Sequence, residues 1–216
     1  MEAGVKKNFW VRLIKLIFGL FLHGLGIVMQ IQANIGYAPW DVLHTGLATT
    51  IGVTIGQASI AVGLALLFVN SILKEPLGLG TVLNMLLVGI FVDLILMTGL
   101  IPQMDHLISG IALLIIGLIV LAFGVYFYIG SGFGAGPRDT LMVALNRRLR
   151  IPVGLARTSI EMTALVIGWL LGGMVGIGTI MAVFLIGLIL QVLFDWLRFD
   201  PKQIQHEKLA DYVQIS

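Results

Sequence analysis

Two aspartates in a strongly apolar chain are the first candidates for chemistry. Asp41 and Asp139 each stand two residues after a proline, and they lie 98 positions apart (139 − 41 = 98). Proline suits the first position of a helix, because its missing N–H would have no partner there, and an acid in the first turn complements the helix dipole. Helix capping is therefore one interpretation of each aspartate. The other is a shared polar site, formed where two equivalent short helices begin.

The neighbours of these aspartates differ between the two copies. Trp40 precedes Asp41 and Arg138 precedes Asp139, so one copy offers an aromatic face and the other a guanidinium. His44 follows Asp41 by three residues, on the same face of a helix. A His–Asp pair can relay protons near neutral pH. A packed histidine bonded to its neighbour is an equal alternative.

Four more ionisable residues fall inside apolar runs, where charges are costly and are often functional. His23 lies in the first run, either as a packed residue or as part of a site. Asp93 lies deep in the third run, where a lone acid favours a functional role. Arg157 and Glu161 are four residues apart on one helix face, which predicts a structural ion pair. The predicted substrate-binding or coupling residues are Asp41, Asp139, Asp93, His44, Trp40, Arg138 and His23.

Membrane helices must position these candidates, because the composition is far from that of a soluble domain. The 216 residues are 58% hydrophobic and 11% charged, with a mean hydropathy of +1.04, whereas soluble domains carry roughly 25% charged residues. Apolar runs of about 20 residues predict a polytopic helical protein, with a permanent first span rather than a signal peptide. Without cysteine there is no disulfide or thiol chemistry, and a net charge of +2 does not favour nucleic-acid binding.

An internal repeat organises these runs. Identical residues recur at the spacing of 98, starting from Gly36, Pro39, Asp41, Leu43, Gly56, Gly78, Gly80, Thr81 and Gly89. We expect one membrane domain over residues 1–216, with repeat units at 12–100 and 110–198 and a cytoplasmic tail at 199–216. Each unit then holds three spans and one short helix, which starts at the Pro-x-Asp segment.

The two short helices are too short to cross a bilayer. About 14 residues make a helix of roughly 21 Å, against a hydrocarbon core of about 30 Å. Each unit then has an odd number of spans, so the second unit must enter the membrane from the opposite side. This topology places all 13 lysines and arginines on the cytoplasmic side, as the positive-inside rule favours, with both termini inside and the loop at 103–105 outside. The expected fold is an all-α membrane protein: six transmembrane helices as two inverted three-span repeats, each with one short re-entrant or interfacial helix.

Three segments resemble a known family. They are NIGYAPWDVLHTGL at 34–47, GLGTVLN at 78–84 and GPRD at 136–139. In these motifs the chain is similar to the YczE/YitT-type family of bacterial integral membrane proteins, and the resemblance extends over about residues 16–196. It implies a prokaryotic cytoplasmic-membrane protein. It implies no substrate, although some relatives are loosely described as exporters.

Paired Asp-bearing helices in an inverted repeat favour a small secondary transporter or exporter of an unidentified small solute, with a central site between the two Pro-x-Asp helices. Two alternatives stay open: a passive, aquaporin-like channel, and a non-transporting membrane scaffold that binds a partner. The chain has no metal-spaced His/Cys cluster, nucleophile elbow or phosphate loop, so we expect neither an enzyme nor a cofactor or metal site. The expected partners are membrane lipid and the solute, without nucleic acid, and a homo-oligomer is compatible with the sequence.

Overall fold

The structure, a computed structural model, describes residues 2–201 and 204, with side chains from residue 9 onward. Most of the predicted tail at 199–216, including Lys202 and Lys208, lies outside the described residues, as do the side chains of Lys6 and Lys7. The described part of the chain is all-helical. Its helices are α1 (Glu2–Gln32), α2 (Pro39–Ile51), α3 (Ile55–Ile72), α4 (Leu79–Thr98), α5 (Leu107–Ile129), α6 (Pro137–Leu149), α7 (Val153–Leu170) and α8 (Ile177–Trp196).

Six of these helices are long and apolar enough to cross a membrane. They are α3, α4, α5, α7, α8 and the part of α1 from Phe9 to Gln32. The prediction of six long apolar helices is thereby confirmed. By contrast, α2 and α6 have 13 residues each, which corresponds to about 20 Å of helix.

Local sequence explains where several helices begin and end. Pro39 and Pro137 open α2 and α6, where the absent N–H costs nothing. Thr54 caps α3: its Oγ1 accepts from the Gln57 N–H at 3.1 Å, and Gln57 Oε1 accepts from the Thr54 N–H at 3.2 Å. Gly52 ends α2 with a φ of +72°, a conformation that glycine adopts without strain. The bounds of α2, α3 and α4 recur in α6, α7 and α8 at the spacing of 98 residues.

Two pairs of glycines bring α1 and α5 into close contact. A Cβ on Gly19 would lie 2.9 Å from the Gly124 carbonyl oxygen, and a Cβ on Gly26 would lie 2.7 Å from the Gly117 carbonyl oxygen. Such distances leave no room for a side chain, so the two backbones pack directly, as small residues allow in membrane helices. Gly19 precedes Gly26 in α1, whereas its partner Gly124 follows Gly117 in α5. The two helices therefore run antiparallel.

The segments before α2 and α6 each bond to the opposite half of the chain. The Gly80 N–H, at the start of α4, donates to the Phe133 carbonyl at 2.7 Å, and the Gly178 N–H, at the start of α8, donates to the Ile35 carbonyl at 2.7 Å. These two bonds are equivalent under the repeat. Each half thus fixes the approach to the other half's short helix.

Basic residues gather at one end of the bundle. Arg12 Nε donates to the Ser131 carbonyl, just after α5, at 2.8 Å. Arg147, at the end of α6, donates to Glu75 Oε1 in the loop between α3 and α4 at 2.6 Å. Both loops belong to the same end, because the start of α4 is bonded to the segment after α5.

The two halves differ in one helix pair. In the first half, α3 and α4 pack so closely that a Cβ on Gly89 would lie 2.6 Å from the Gly56 carbonyl oxygen. The equivalent residues of the second half are Gly154 and Gly187, and a Cβ on either would meet nothing within 4 Å. α7 and α8 therefore leave a gap between them, called here the α7–α8 opening.

Candidate functional site

The first turns of α2 and α6 meet inside the helix bundle. The Arg138 guanidinium carbon lies 4.4 Å from the centre of the Trp40 ring, and Arg138 Nη2 lies 3.4 Å from His44 Nε2. A guanidinium over the face of tryptophan makes a cation–π interaction. The structure therefore brings together three of the predicted site residues, and it stacks on each other the two residues that differ between the repeats.

Asp41 is buried beside this stacked pair, with a relative exposure of 3%. Its Oδ1 lies 3.5 Å from His44 Nδ1, and no hydrogen bond from the described residues reaches that oxygen. A distance of 3.5 Å is long for a hydrogen bond, so the carboxylate keeps an open acceptor. A buried polar atom of this kind needs water or a ligand to offset its lost hydration.

A cavity of about 110 Å³ lies next to these residues and is called here the central cavity. His23 lies near the middle of α1 and Leu118 near the middle of α5, so the cavity is level with the centres of the two longest spans. The Nδ1 atom of His23 is buried and has no partner in the described structure. The polar side chains of the lining are His23, Gln30, Trp40, Asp41, Arg138, Arg157 and Glu161.

Asp139 does not repeat the environment of Asp41. It is exposed rather than buried, and its Oδ2 accepts a hydrogen bond from the Tyr128 hydroxyl at 3.2 Å. The Tyr128 oxygen in turn accepts from the Gly136 N–H, just before α6. Asp139 is thus engaged with the segment that positions α6, whereas Asp41 is turned to the cavity.

Arg157 and Glu161 lie on α7 as the sequence predicts, with Arg157 Nε 2.9 Å from Glu161 Oε1. The same two side chains border the central cavity. They are also partly exposed, at 47% and 22%. The ion pair therefore links the cavity to the edge of the bundle.

Asp93 lies apart from the other predicted site residues. Its Oδ2 accepts from Thr54 Oγ1 at 2.5 Å and its Oδ1 accepts from the Gly56 N–H at 2.8 Å, so it ties α4 to the start of α3. It also lines a cleft of about 800 Å³, which we call the outer cleft. Two residues of α2, Thr45 and Thr49, line the same cleft.

Three polar residues of the site region were not predicted. Gln30 is fully buried at the cavity; its Nε2 donates to the Gly26 carbonyl at 3.1 Å, and its Oε1 has no partner in the described residues. Tyr128 occupies the equivalent place in the second half. Asn70 donates to the Pro137 carbonyl at 2.8 Å and so holds the start of α6. The repeat spacing could have singled out Gln30 and Tyr128, since both are polar and 98 residues apart.

The site combines one open carboxylate oxygen, two imidazoles and a guanidinium within a small volume. No group of three His, Cys, Asp or Glu side chains with metal-binding geometry is found in the residues described. The side chains present can bind a charged or polar group, and a histidine can exchange protons.

Comparison with known proteins assigns the chain to a family. The family of unknown function DUF6198 matches residues 10–195. The chain belongs to this family. It is 33% identical over 175 residues to the uncharacterized membrane protein YczE of Bacillus subtilis, covering 80% of each chain. It is also 33% identical over 193 residues to an uncharacterized protein of Haemophilus influenzae, covering 89% of this chain and 87% of the relative.

A second Bacillus subtilis relative, the uncharacterized protein YyaS, is 30% identical over 177 residues, which cover 81% of this chain and 88% of the relative. No solved structure matches the chain. The predicted resemblance to YczE-type proteins is confirmed, and these relatives support a membrane protein. Substrate and mechanism have to come from the site itself.

Proposed function

We propose that the protein is a small secondary transporter or exporter whose solute binds in the central cavity. The observation that carries this proposal is the open acceptor of Asp41, next to Arg138 and His44 at the level of mid-span. Unpaired polar atoms at such a depth are costly and are retained where they serve a substrate or ion. The protein is then a carrier rather than an enzyme, with the solute and lipid as its partners.

In this proposal the two halves form an inverted repeat, and α2 and α6 are re-entrant helices. Three observations support it: α1 and α5 run antiparallel, the Gly80–Phe133 and Gly178–Ile35 bonds are reciprocal, and the N-terminal turns of α2 and α6 meet at the central cavity. Helix starts of this kind line the substrate sites of transporters with inverted repeats. Irregular backbone before each start is tolerated at depth because it is bonded to the other half.

The outer cleft supplies a second compartment for the solute. Thr45 faces the outer cleft and Asp41 faces the central cavity, one helical turn apart on α2. Thr45 Oγ1 donates to the Asp41 carbonyl at 2.6 Å, within that turn. The turn thus lies between the two spaces. Alternating access requires such a barrier, whereas an open channel does not.

The proposal is tested first by solute binding. Purified protein is screened by thermal shift against a small-solute collection, and each stabilising solute is tested again with Asp41→Asn and Asp139→Asn. Both variants keep shape and one amide oxygen while removing charge. We expect Asp41→Asn to weaken binding by about tenfold or more, as for a lost charge-assisted hydrogen bond, and Asp139→Asn to change it less, because Tyr128 already engages Asp139.

Transport is then measured with the stabilising solute in proteoliposomes. Solute flux that requires a proton or cation gradient and is lost in Asp41→Asn supports a secondary transporter. Equal flux without any gradient would make the protein a channel. Binding and flux at wild-type level in both Asn variants would mean that the solute does not bind at the central site. Recovery of a stoichiometric protein partner, without flux of any solute, would mean that the protein is a scaffold.

A further inference from the structure

Three contacts close the seam between α3 and α4 in the first half. Asp93 of α4 accepts from Thr54 and from the Gly56 N–H, at the start of α3. Gly56 and Gly89 let the two backbones touch. About two turns further along α3, a Cβ on Gly63 would lie 3.2 Å from the Met85 Cβ. The small residues, the Met85 side chain and the Asp93 carboxylate together hold α3 and α4 in contact.

The second half keeps the two glycines but loses the other partners of the seam. Its equivalent positions hold a proline in place of the threonine cap, a glutamine in place of the aspartate, a glutamate in place of glycine and a valine in place of methionine. These residues are Pro152, Gln191, Glu161 and Val183. Proline has no side-chain hydroxyl to offer the partner helix, and the glutamate brings a charge into what would be an apolar seam. The sequence differences at these four positions thus account for the α7–α8 opening.

The α7–α8 opening borders the central cavity. The cavity is lined on this side by Arg157 and Glu161 of α7 and by Val183 of α8. Outside it, the exposed side chains of both helices include large apolar ones, such as Val166 and Leu188. A molecule that fills the opening therefore meets charges at its inner end and apolar side chains of both helices further out.

The charge at the inner end suits an anion. Among the described residues, Arg138 has one hydrogen-bond partner, His44, and no carboxylate lies within 4.0 Å of it. Its guanidinium lies over the Trp40 ring and borders the central cavity. Guanidinium groups bind carboxylates and phosphates in a bidentate way, through two parallel hydrogen bonds.

The size of the central cavity limits what it can enclose. Its volume of about 110 Å³ is well below the roughly 300–1,000 Å³ of pockets that enclose drug-sized ligands. A small head group fits, and anything longer must extend through the α7–α8 opening. The opening lies on the lipid side, so that extension is in contact with lipid chains.

We propose that the substrate is an amphiphile with a small anionic head group, carboxylate or phosphate, which enters sideways from the bilayer through the α7–α8 opening. The head group binds at Arg138 and shares a proton with the open Oδ1 of Asp41, because two unpaired anionic oxygens cannot both stay charged in so small a cavity, and the hydrocarbon tail stays between α7 and α8. The proposal rests on the central site of the proposed function and names the substrate class of that site.

The test uses the purified full chain in phosphatidylcholine nanodiscs and a palmitic acid analogue with a diazirine near its carboxyl end. Light-induced labelling is mapped by mass spectrometry and competed with palmitate, hexadecyl phosphate, methyl palmitate and butyrate. We expect labelling at the cavity-facing residues Val183 and Ile186. Palmitate or hexadecyl phosphate should compete at least about tenfold better than the uncharged ester and the tailless acid, and their order tells carboxylate from phosphate.

Matched variants test the binding of the head group and the path of entry separately. Arg138→Gln should lower labelling by about tenfold or more, because the charged donor is lost. Gly187→Trp should block entry, and it fits without a clash because a Cβ there meets nothing within 4 Å. The control is Leu188→Trp, one residue on and about 100° round the helix, on an exposed lipid-facing position, which should leave labelling unchanged. Thermal unfolding verifies that each variant is folded.

Several outcomes would overturn the proposal. If methyl palmitate competes as well as palmitate, binding does not require an anionic head group. If butyrate competes as well as palmitate, binding does not require the hydrocarbon tail. Wild-type labelling in folded Gly187→Trp rules out the sideways route. A quantitative disulfide between two chains of Gly187→Cys protein would mean that a second copy closes the opening. The proposed function is tested separately, since labelling without flux removes transport and keeps this site, whereas gradient-driven flux of a tailless solute keeps transport and removes the amphiphile.

Discussion

Arg138 and Trp40 occupy equivalent places in the repeat and lie on each other in the structure. Residues near the axis that relates two repeated units meet their own counterparts there. Two arginines at this place would repel each other in a low-dielectric interior, whereas one arginine and one tryptophan attract. The difference between the two copies at this single position thus allows an attractive cation–π contact where two arginines would repel each other.

Gln30 and Asn70 allow a prediction that separates a binding residue from a structural one. Gln30→Leu should leave the thermal stability nearly unchanged, because its amide donates only to a carbonyl of its own helix and its Oε1 has no partner in the described structure. Asn70→Leu should lower the stability by about 1–3 kcal/mol, because the buried Pro137 carbonyl loses its donor. Thermal unfolding in one detergent compares both variants with the wild type.

Solute or amphiphile binding gives the complementary readout. Gln30→Leu should weaken it, since the open amide oxygen lines the central cavity. Unchanged binding together with a clear loss of stability in Gln30→Leu would make this residue structural and would contradict its place in the site.

Of the residues that line the central cavity, sequence patterns singled out those of the short helices and His23 in α1, but not Gln30 in the same span. Trp40, Asp41 and Arg138 stand out because proline, aspartate and the repeat mark where a helix begins. Gln30 does not stand out, because a polar residue in an apolar helix can face lipid, a neighbouring helix or a cavity, and only packing decides. Asp93 shows the same difficulty: its depth in a span predicts a solute site, and the structure shows it both bonded to the start of α3 and lining the outer cleft.

At the scale of elements, glycines have opposite consequences at different places in this fold. Gly26 faces the backbone of α5 so closely that no side chain fits, whereas Gly187 faces the α7–α8 opening. Both belong to the glycine pattern of the repeat, and periodicity alone does not distinguish them. Their difference comes from the partner helix, which is present for one and displaced for the other.

A matched pair of substitutions tests this difference. Gly26→Val should destabilise the protein by about 1–3 kcal/mol or more, because the added side chain forces α1 and α5 apart. Gly187→Val makes the same chemical change where a Cβ meets nothing within 4 Å, and its stability should stay within about 0.5 kcal/mol of the wild type. Thermal unfolding of the two variants, side by side, is the measurement. Equal destabilisation by both would mean that α7 and α8 close against each other in the membrane.

The helices themselves were predictable because hydropathy, proline and glycine act locally. The expected spans at 107–130 and 153–171 differ by one residue from α5 (Leu107–Ile129) and α7 (Val153–Leu170). The first span was expected to start at residue 16 and instead includes Phe9. The early basic residues Arg12 and Lys15 are carried within the helix, because they bond to the carbonyls after α5.

At the scale of the whole molecule, contacts between loops determine which residues share an end. The bond between Arg147 and Glu75 holds the α3–α4 loop against the end of α6, at the basic end of the bundle. At the other end, the Met104 N–H donates to the Gln32 carbonyl at 2.8 Å, so the α4–α5 loop covers the end of α1. The molecule therefore has one basic end and one end without these arginines.

The last prediction concerns the orientation of these ends in the membrane. Lysines and arginines near span ends are retained in the cytoplasm, so the basic end should face inward. The chain has no cysteine, and single-cysteine variants Lys74→Cys and Gln103→Cys report on each end separately. Both positions are exposed in the structure, so a water-soluble thiol reagent can reach them.

In intact cells, a membrane-impermeant maleimide should label Gln103→Cys and spare Lys74→Cys, and permeabilised cells should show equal labelling of both. The second measurement is the control, because it shows that the cysteine at position 74 is reactive once the reagent crosses the membrane. Strong labelling of Lys74→Cys from outside would mean that the orientation is reversed or that the chain has additional spans. It would then place the α3–α4 loop, with Glu75 and its partner Arg147, on the outer surface, and the basic end would no longer explain the topology.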